Sequence, residues 1–181
     1  MRKFRLLPGI FAFILCAATL IVGVYAAGAT TNTITGNITV TAANCPVTVV
    51  IKRDGSTLTT LSNIITAHTY TDSTGVTFDL ATADAAGDIA THNYTLSVTN
   101  NSTSKSIKAH FADSVGGAAV TSRNGVVKQS STNIINAAFT GQQTIAASGS
   151  YDMVCTLSCA TLTETNIAKT SFNMYLVITP V

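Results

Sequence analysis

Three histidines, four cysteines and a short run of aspartates are the side chains in this sequence that could do chemistry. Nucleophilic catalysis needs a nucleophile, a base and a group that orients the base. His68, His92 and His110 stand apart from one another, and none belongs to an HExxH, GxSxG or paired-ligand spacing. No enzymatic activity is expected. Asp79, Asp84 and Asp88 are close enough in sequence for their carboxylates to meet a hard cation. They lack the one-turn spacing of an EF-hand loop and read as solvated loop carboxylates. Phosphate loops are absent, and a chain without Trp offers no obvious stacking platform for bases or sugars. Neither a metal nor a cofactor is expected.

Cys45, Cys155 and Cys159 remain once Cys16 leaves with the N-terminal segment, which is an odd number. In an oxidising compartment two would pair, either as a local Cys155–Cys159 loop or with one of them reaching Cys45, leaving the third free, blocked or intermolecular. A zinc site is the weaker reading, because no His or further Cys accompanies Cys155 and Cys159. Asparagine acceptor patterns occur at Asn37, Asn93, Asn100 and Asn101, each followed two residues later by Ser or Thr. They mark surface sites where the host glycosylates its exports.

What must position these residues is an exported all-β domain. Met1-Arg2-Lys3-Phe4-Arg5 is basic, residues 10–29 carry no charge, and Val24-Tyr25-Ala26 satisfies a small-x-small cleavage rule. Residues 1–26 therefore read as a secretory signal, and the protein as secreted to the cell surface. A charge-free run of this length can also span a bilayer as a retained anchor. Neither a lipobox nor a type IV pilin leader fits, since Leu15 precedes Cys16 and Pro8 precedes Gly9. Beyond the signal, about 155 residues make one domain with room for a core. Charged residues are only 10% of the chain and nearly balanced after the signal, so there is no basic stripe for nucleic acid. Such a surface repels its own copies weakly.

Residues 27–43 alternate with a period of two. Ile34, Ile38 and Val40 fall on one side with small Gly36 between them, and Thr33, Thr35, Asn37, Thr39 and Thr41 on the other, as in a half-buried strand. From residue 44 to 181, β-branched runs are broken by Asp-Gly, Ser-Gly, Asn-Gly and Asn-Asn turns, with no long helical stripe. Strands are expected at 47–52 and 57–66, joined by a hairpin turn at Asp54-Gly55, and at 69–80 with a turn at 72–75. Residues 81–92 read as a loop. Tyr94, Leu96 and Val98 give the clearest interior strand, ended by Asn100-Asn101. Further strands are expected around Ile107 to Phe111, at Val126-Val127, at 133–140 and at 142–146, with a turn at Asn124-Gly125. Tyr151, Met153, Cys155 and Leu157 share one face, residues 162–168 are ambiguous between loop and helical turn, and the last strand carries Phe172, Met174, Leu176 and Ile178 on one face. Tyr175 and Val177 lie opposite, which predicts a central strand. Short strands at this spacing predict two packed antiparallel sheets, a jelly-roll-like β-sandwich.

The layout of basic start, hydrophobic leader ending at Val22-Gly23-Val24-Tyr25-Ala26, immediate Thr-rich strand and compact β domain resembles the TasA and camelysin group of biofilm-matrix fibre proteins. It is also similar to the archaeal bundling pilins. The resemblance implies a jelly-roll subunit that inserts residues 27–43 into a groove of the next copy after signal removal. Burying Ile34, Ile38 and Val40 there would contribute about 5–9 kcal/mol before ordering costs. Backbone hydrogen bonds would set register, and a head-to-tail contact that need not close would propagate as a homopolymer. Ile38→Asp is expected to stop assembly and leave the subunit folded. The competing reading is a membrane-anchored monomeric adhesin or binding module with ligand contacts on the loops at 81–92 and 115–118.

Overall fold

Strand formation follows the alternation of β-branched residues, and each strand turns its apolar face toward the same interior. The computed structural model of the chain describes residues 32–70, 78–83, 89–129, 132–159 and 171–181. Among them lie thirteen strands and no helix: β1 (Asn32–Ala42), β2 (Val47–Arg53), β3 (Ser56–Ile64), β4 (His68–Tyr70), β5 (Phe78–Ala83), β6 (Ile89–Thr91), β7 (Tyr94–Asn100), β8 (Ile107–Ala112), β9 (Ser122–Gln129), β10 (Thr132–Phe139), β11 (Gln143–Ile145), β12 (Ser150–Cys159) and β13 (Ser171–Pro180). The protein is all-β.

Two sheets divide the strands. One runs β11-β8-β13-β1-β5-β6, with β4 also paired to β1, and the other runs β3-β2-β7-β12-β10-β9. Every pairing is antiparallel except that of β1 with β13. Ile38, Val40, Phe111, Leu176 and Ile178 of the first sheet share one buried cluster with Val49, Ile51, Leu96, Val98 and Met153 of the second. The rings of Phe111 and Phe139 sit 5.2 Å apart between the layers. This is the two-layer arrangement of a β-sandwich-like fold.

The interior strand at Tyr94, Leu96 and Val98 is β7, which alternates strictly between buried and half-exposed positions and lies between β2 and β12. The hairpin turn at Asp54-Gly55 has φ of 49° and 83° at its two residues, the doubly positive geometry that a tight turn between twisted strands requires. As expected, β13 is central, and Val177 is buried on the face opposite Leu176.

Two expectations are corrected. Residues 81–92 are not one loop: β5 runs to Ala83 and β6 returns at Ile89–Thr91. Alanines have little strand propensity, but β1 offers β5 a ladder of backbone partners, so pairing overrides it. Asn124-Gly125 is not a turn between strands but a bulge inside β9. Gly125 has a φ of 62°, its N–H donates to Asn136 Oδ1 at 2.7 Å, and the β9–β10 register shifts there. Tyr151 shares the face of Met153 and Cys155, opposite Val98 where they stand opposite Leu96 and Tyr94, and at the start of β12 it stays 42% exposed. The strand expected at 69–80 is described only as β4 and the start of β5. Residues 71–77 and 162–168 lie outside the described residues, as do 1–31.

Candidate functional site

The candidate polymerisation strand is β1. From Asn37 to Ala42 its alternation is realised: Ile38, Val40 and Ala42 have 0%, 0% and 1% of their surface exposed, and Asn37, Thr39 and Thr41 are half-buried on the outer face. On one side β13 runs parallel to it, from Thr35 opposite Ser171 to Ala42 opposite Ile178. Its other side is shared by two antiparallel strands, β5 along its first half and β4 along Ile38 to Val40. Gly36 lies in register between Phe172 of β13 and Phe78 of β5. Ile34 takes part in the β5 pairing next to a bulge; its side chain is outside the described residues.

This placement corrects the idea that the subunit core lies elsewhere. Ile38 belongs to the same cluster as Leu96 and Met153, so β1 fills the middle of its own subunit. Ile38→Asp would therefore unsettle the isolated subunit as well as any assembly, because it buries a charge among aliphatic groups.

A short link, residues 43–46, carries the chain from β1 into β2 of the opposite sheet. The Ala43 N–H donates to Ile178 O at 3.1 Å, the Asn101 N–H donates to Pro46 O at 3.1 Å, and Asn44 takes a φ of 57°. The Cys45 thiol is buried here and donates to Ala43 O at 3.3 Å. Burial raises its pKa, and burial pushes that of Cys155 up to about 12, so neither is a ready nucleophile in the folded chain.

Both Cys45 and Cys155 are free thiols. Register explains why the expected disulfides do not form. Cys155 lies opposite Tyr94, which lies opposite Arg53, so a whole strand length of β2, about 20 Å at 3.3 Å per residue, separates it from Cys45. Cys155 and Cys159 stand four positions apart on one extended strand, and their Cα atoms are about 13 Å apart, beyond disulfide reach. Cys159 also lies farther than Cys155 from the Cys45 end.

The glycosylation candidates separate sharply. Asn100 is fully buried, and its Nδ2 points to the carbonyls of Lys105, Ile145 and Ala146 at 2.8, 3.4 and 3.0 Å while its Oδ1 accepts from the Ser102 N–H. It pins two loops and is not a surface acceptor, which corrects that expectation. Asn101 is exposed, but its Nδ2 donates to Thr48 Oγ1 and Asn63 Oδ1. Asn37 donates from Nδ2 to Asn173 Oδ1 at 3.1 Å, a side-by-side pair that the parallel register creates. Asn93 is exposed between β6 and β7.

The histidines are dispersed. His110 Nε2 donates to Gly117 O at 2.9 Å, His68 belongs to β4, and His92 pairs with the Asp54 carboxylate. Burial alone would raise the pKa of Asp54. The Asn93 N–H and His92 outweigh it and hold the carboxyl below its ordinary value. Among the described residues no three His, Cys, Asp or Glu side chains converge as metal ligands would. Asp84 and Asp88 lie outside the described residues, and so does the side chain of Asp79.

The edges of the two sheets are the remaining places where a strand could be added. In the β1 sheet the ends are β11 and β6, of three residues each. In the other sheet the ends are β3 and β9, and each is broken by two register shifts against its neighbour. Short strands and bulges are the usual ways to blunt an edge. Sequence reading found β1 but missed Asn173, the β4 and β5 partners and the 43–46 link, for none of these carries a local signal. Comparison with protein-family models, with curated proteins and with solved structures finds no match to this chain.

Proposed function

We propose that this chain is a structural subunit of an extracellular filament, a pilus or biofilm-matrix fibre, that polymerises by passing β1 to the neighbouring copy. The observation that carries this reading is the position of β1. It completes the centre of a sheet through strand pairing, burial and the Asn37–Asn173 side-chain bond, and only residues 43–46 tie it covalently to the rest of the described domain. An identical strand from a second copy meets the same partners, Met174 beside Ile38 and Leu176 beside Val40, so exchange conserves every contact except those of the link. Because donor strand and acceptor slot are different surfaces, the exchange extends head to tail without closing. The blunted edges favour this route over edge-to-edge addition.

On this reading residues 1–26 are the signal that leads the chain out of the cell, 27–43 the donor segment and 44–181 a jelly-roll-like acceptor domain, as the resemblance to the TasA and camelysin group and the bundling pilins implies. The membrane is met only through the signal before cleavage. The partner is a copy of the chain rather than a nucleic acid or a small-molecule substrate.

A second reading, a membrane-anchored monomeric adhesin, draws support from the same strand: β1 is already satisfied in its own sheet, as it would be in a subunit that never exchanges it. Negative-stain microscopy of protein recovered from the cell surface, with N-terminal sequencing of the same material, separates the two. Filaments whose subunits begin near Ala27 are the expected result. Dispersed particles that retain Met1 to Ala26 would establish the anchored monomer instead.

A further inference from the structure

Four asparagines carry the N-glycan acceptor pattern, and folding treats them differently. A glycan added to the unfolded chain is compatible with the folded domain only where the folded amide nitrogen is free of internal partners and has space outside it for a sugar. Asn100 has neither, being fully buried with its Nδ2 committed to three backbone carbonyls. Asn101 commits its Nδ2 to two side chains on neighbouring strands, Thr48 and Asn63. Asn37 is half-buried beside Asn173, on the outer face of the central strand of its sheet.

Asn93 is the exception. It sits in the two-residue connection between β6 and β7, is exposed, and makes no side-chain hydrogen bond among the described residues. Its backbone is nevertheless held on both sides by one residue: the Asn93 N–H donates to Asp54 Oδ1 at 2.8 Å, and the Asp54 N–H donates to Asn93 O at 2.9 Å. A fixed backbone under a free, outward side chain is what a bulky modification tolerates. Tyr94, which follows it, is fully buried, so the acceptor tripeptide can enter a transferase only before the domain folds.

We propose that Asn93 is the N-glycan attachment site of this protein, filled on the unfolded chain during export and retained because the folded domain leaves its amide in solvent. In the transfer, Asn93 Nδ2 forms a bond to the anomeric carbon of an oligosaccharide carried on a polyprenyl diphosphate. The carbon–oxygen bond to the diphosphate breaks, the polyprenyl diphosphate leaves with the electron pair, and the amide nitrogen loses one proton to the transferase base. The site lies at the Arg53 end of β2, opposite the end that receives residues 43–46. A glycan there lies away from the link, and the inference requires only that the chain is exported, as it would be for a filament subunit or an anchored monomer.

The test is to express the full chain in a eukaryotic secretory host, which supplies a dolichyl-diphosphate oligosaccharide, and to map glycopeptides on the folded secreted protein by mass spectrometry. A single glycan mass at Asn93 is expected. Asn93→Gln and Thr95→Val should each remove it, and Thr95→Ser should retain it. Folded protein carrying a glycan at Asn37, Asn100 or Asn101, or folded protein with no glycan at all, would overturn the proposal.

Discussion

The two sheets are built from the chain in different ways. In the β7 sheet the outer strands attach by hairpins, β2 to β3 through Asp54-Gly55 and β9 to β10, and every pair is antiparallel. The β1 sheet is instead joined at its centre by β1 and β13, a parallel pair drawn from segments 136 positions apart. Losing an end strand trims the β7 sheet. Losing β1 divides the other into β11-β8-β13 and β5-β6. The proposed exchange would replace this central strand by the same strand of another copy, which leaves the hairpins of the β7 sheet intact.

Removing residues 27–43 is the most severe way to break this contrast. The variant is expected to lose cooperative thermal unfolding by circular dichroism, because a whole central strand exceeds what a domain stable by about 5–15 kcal/mol can spare. A synthetic peptide covering β1, added in trans, should restore the transition. A truncated domain that melts like the full chain would show that the β1 sheet does not depend on its central strand.

Point substitutions sharpen the same contrast. Ile38→Ala, at the centre of the β1 sheet, should cost about 2–4 kcal/mol in urea unfolding, as for a fully buried aliphatic truncated to Ala. Leu61→Ala, on edge strand β3 and only partly buried, should cost less than about 1.5 kcal/mol, since less of its surface leaves water. Equal costs would mean that edge and centre are held alike.

Much of the β7 sheet was legible in the sequence because its signals are local. Tyr94, Leu96 and Val98 alternate within one strand, and Asp54-Gly55 specifies its own turn. The β1 strand was legible as a strand, though not as a member of its own subunit's core, because alternation reveals which face is buried but not whose partner buries it. The parallel pairing with β13 left no local mark. Residues 81–92 misled because Ala and Gly composition says loop while pairing of β5 to β1, and of β6 to β5, makes strand of both ends, and Asn124-Gly125 misled because a positive-φ glycine serves a bulge as well as a turn. Asn100 carried an acceptor pattern with nothing in its neighbours to announce that its amide would be buried under three carbonyls.

The two buried thiols report on the sheets separately. Cys45 sits in the link to β1, and Cys155 in β12 at the heart of the β7 sheet. If β1 opens without global unfolding, native-state labelling with a maleimide, read by peptide mapping, should modify Cys45 at least about tenfold faster than Cys155, because local openings need less free energy than the global one. Matching rates across denaturant would place both thiols in one cooperative unit and remove the detachable strand.

The smallest effect belongs to the β7 sheet's hairpin. Asp54 accepts from the Asn93 N–H and pairs with His92, and these hold its carboxyl below the ordinary value of 3.8 although burial opposes them. A carboxyl that binds its proton less readily folded than unfolded contributes stability above its unfolded pKa and loses it as pH falls through its folded one. Between pH 5 and 3, Asp54→Asn should therefore flatten the decline in melting temperature relative to the unsubstituted chain, by a degree or so given how exposed the pair is. The hairpin is tied to the β6–β7 connection rather than to β1. Acid should accordingly loosen this corner while leaving the Cys45 labelling rate unchanged, and a Cys45 rate that rises together with Asp54 protonation would mean that the two sheets open as one.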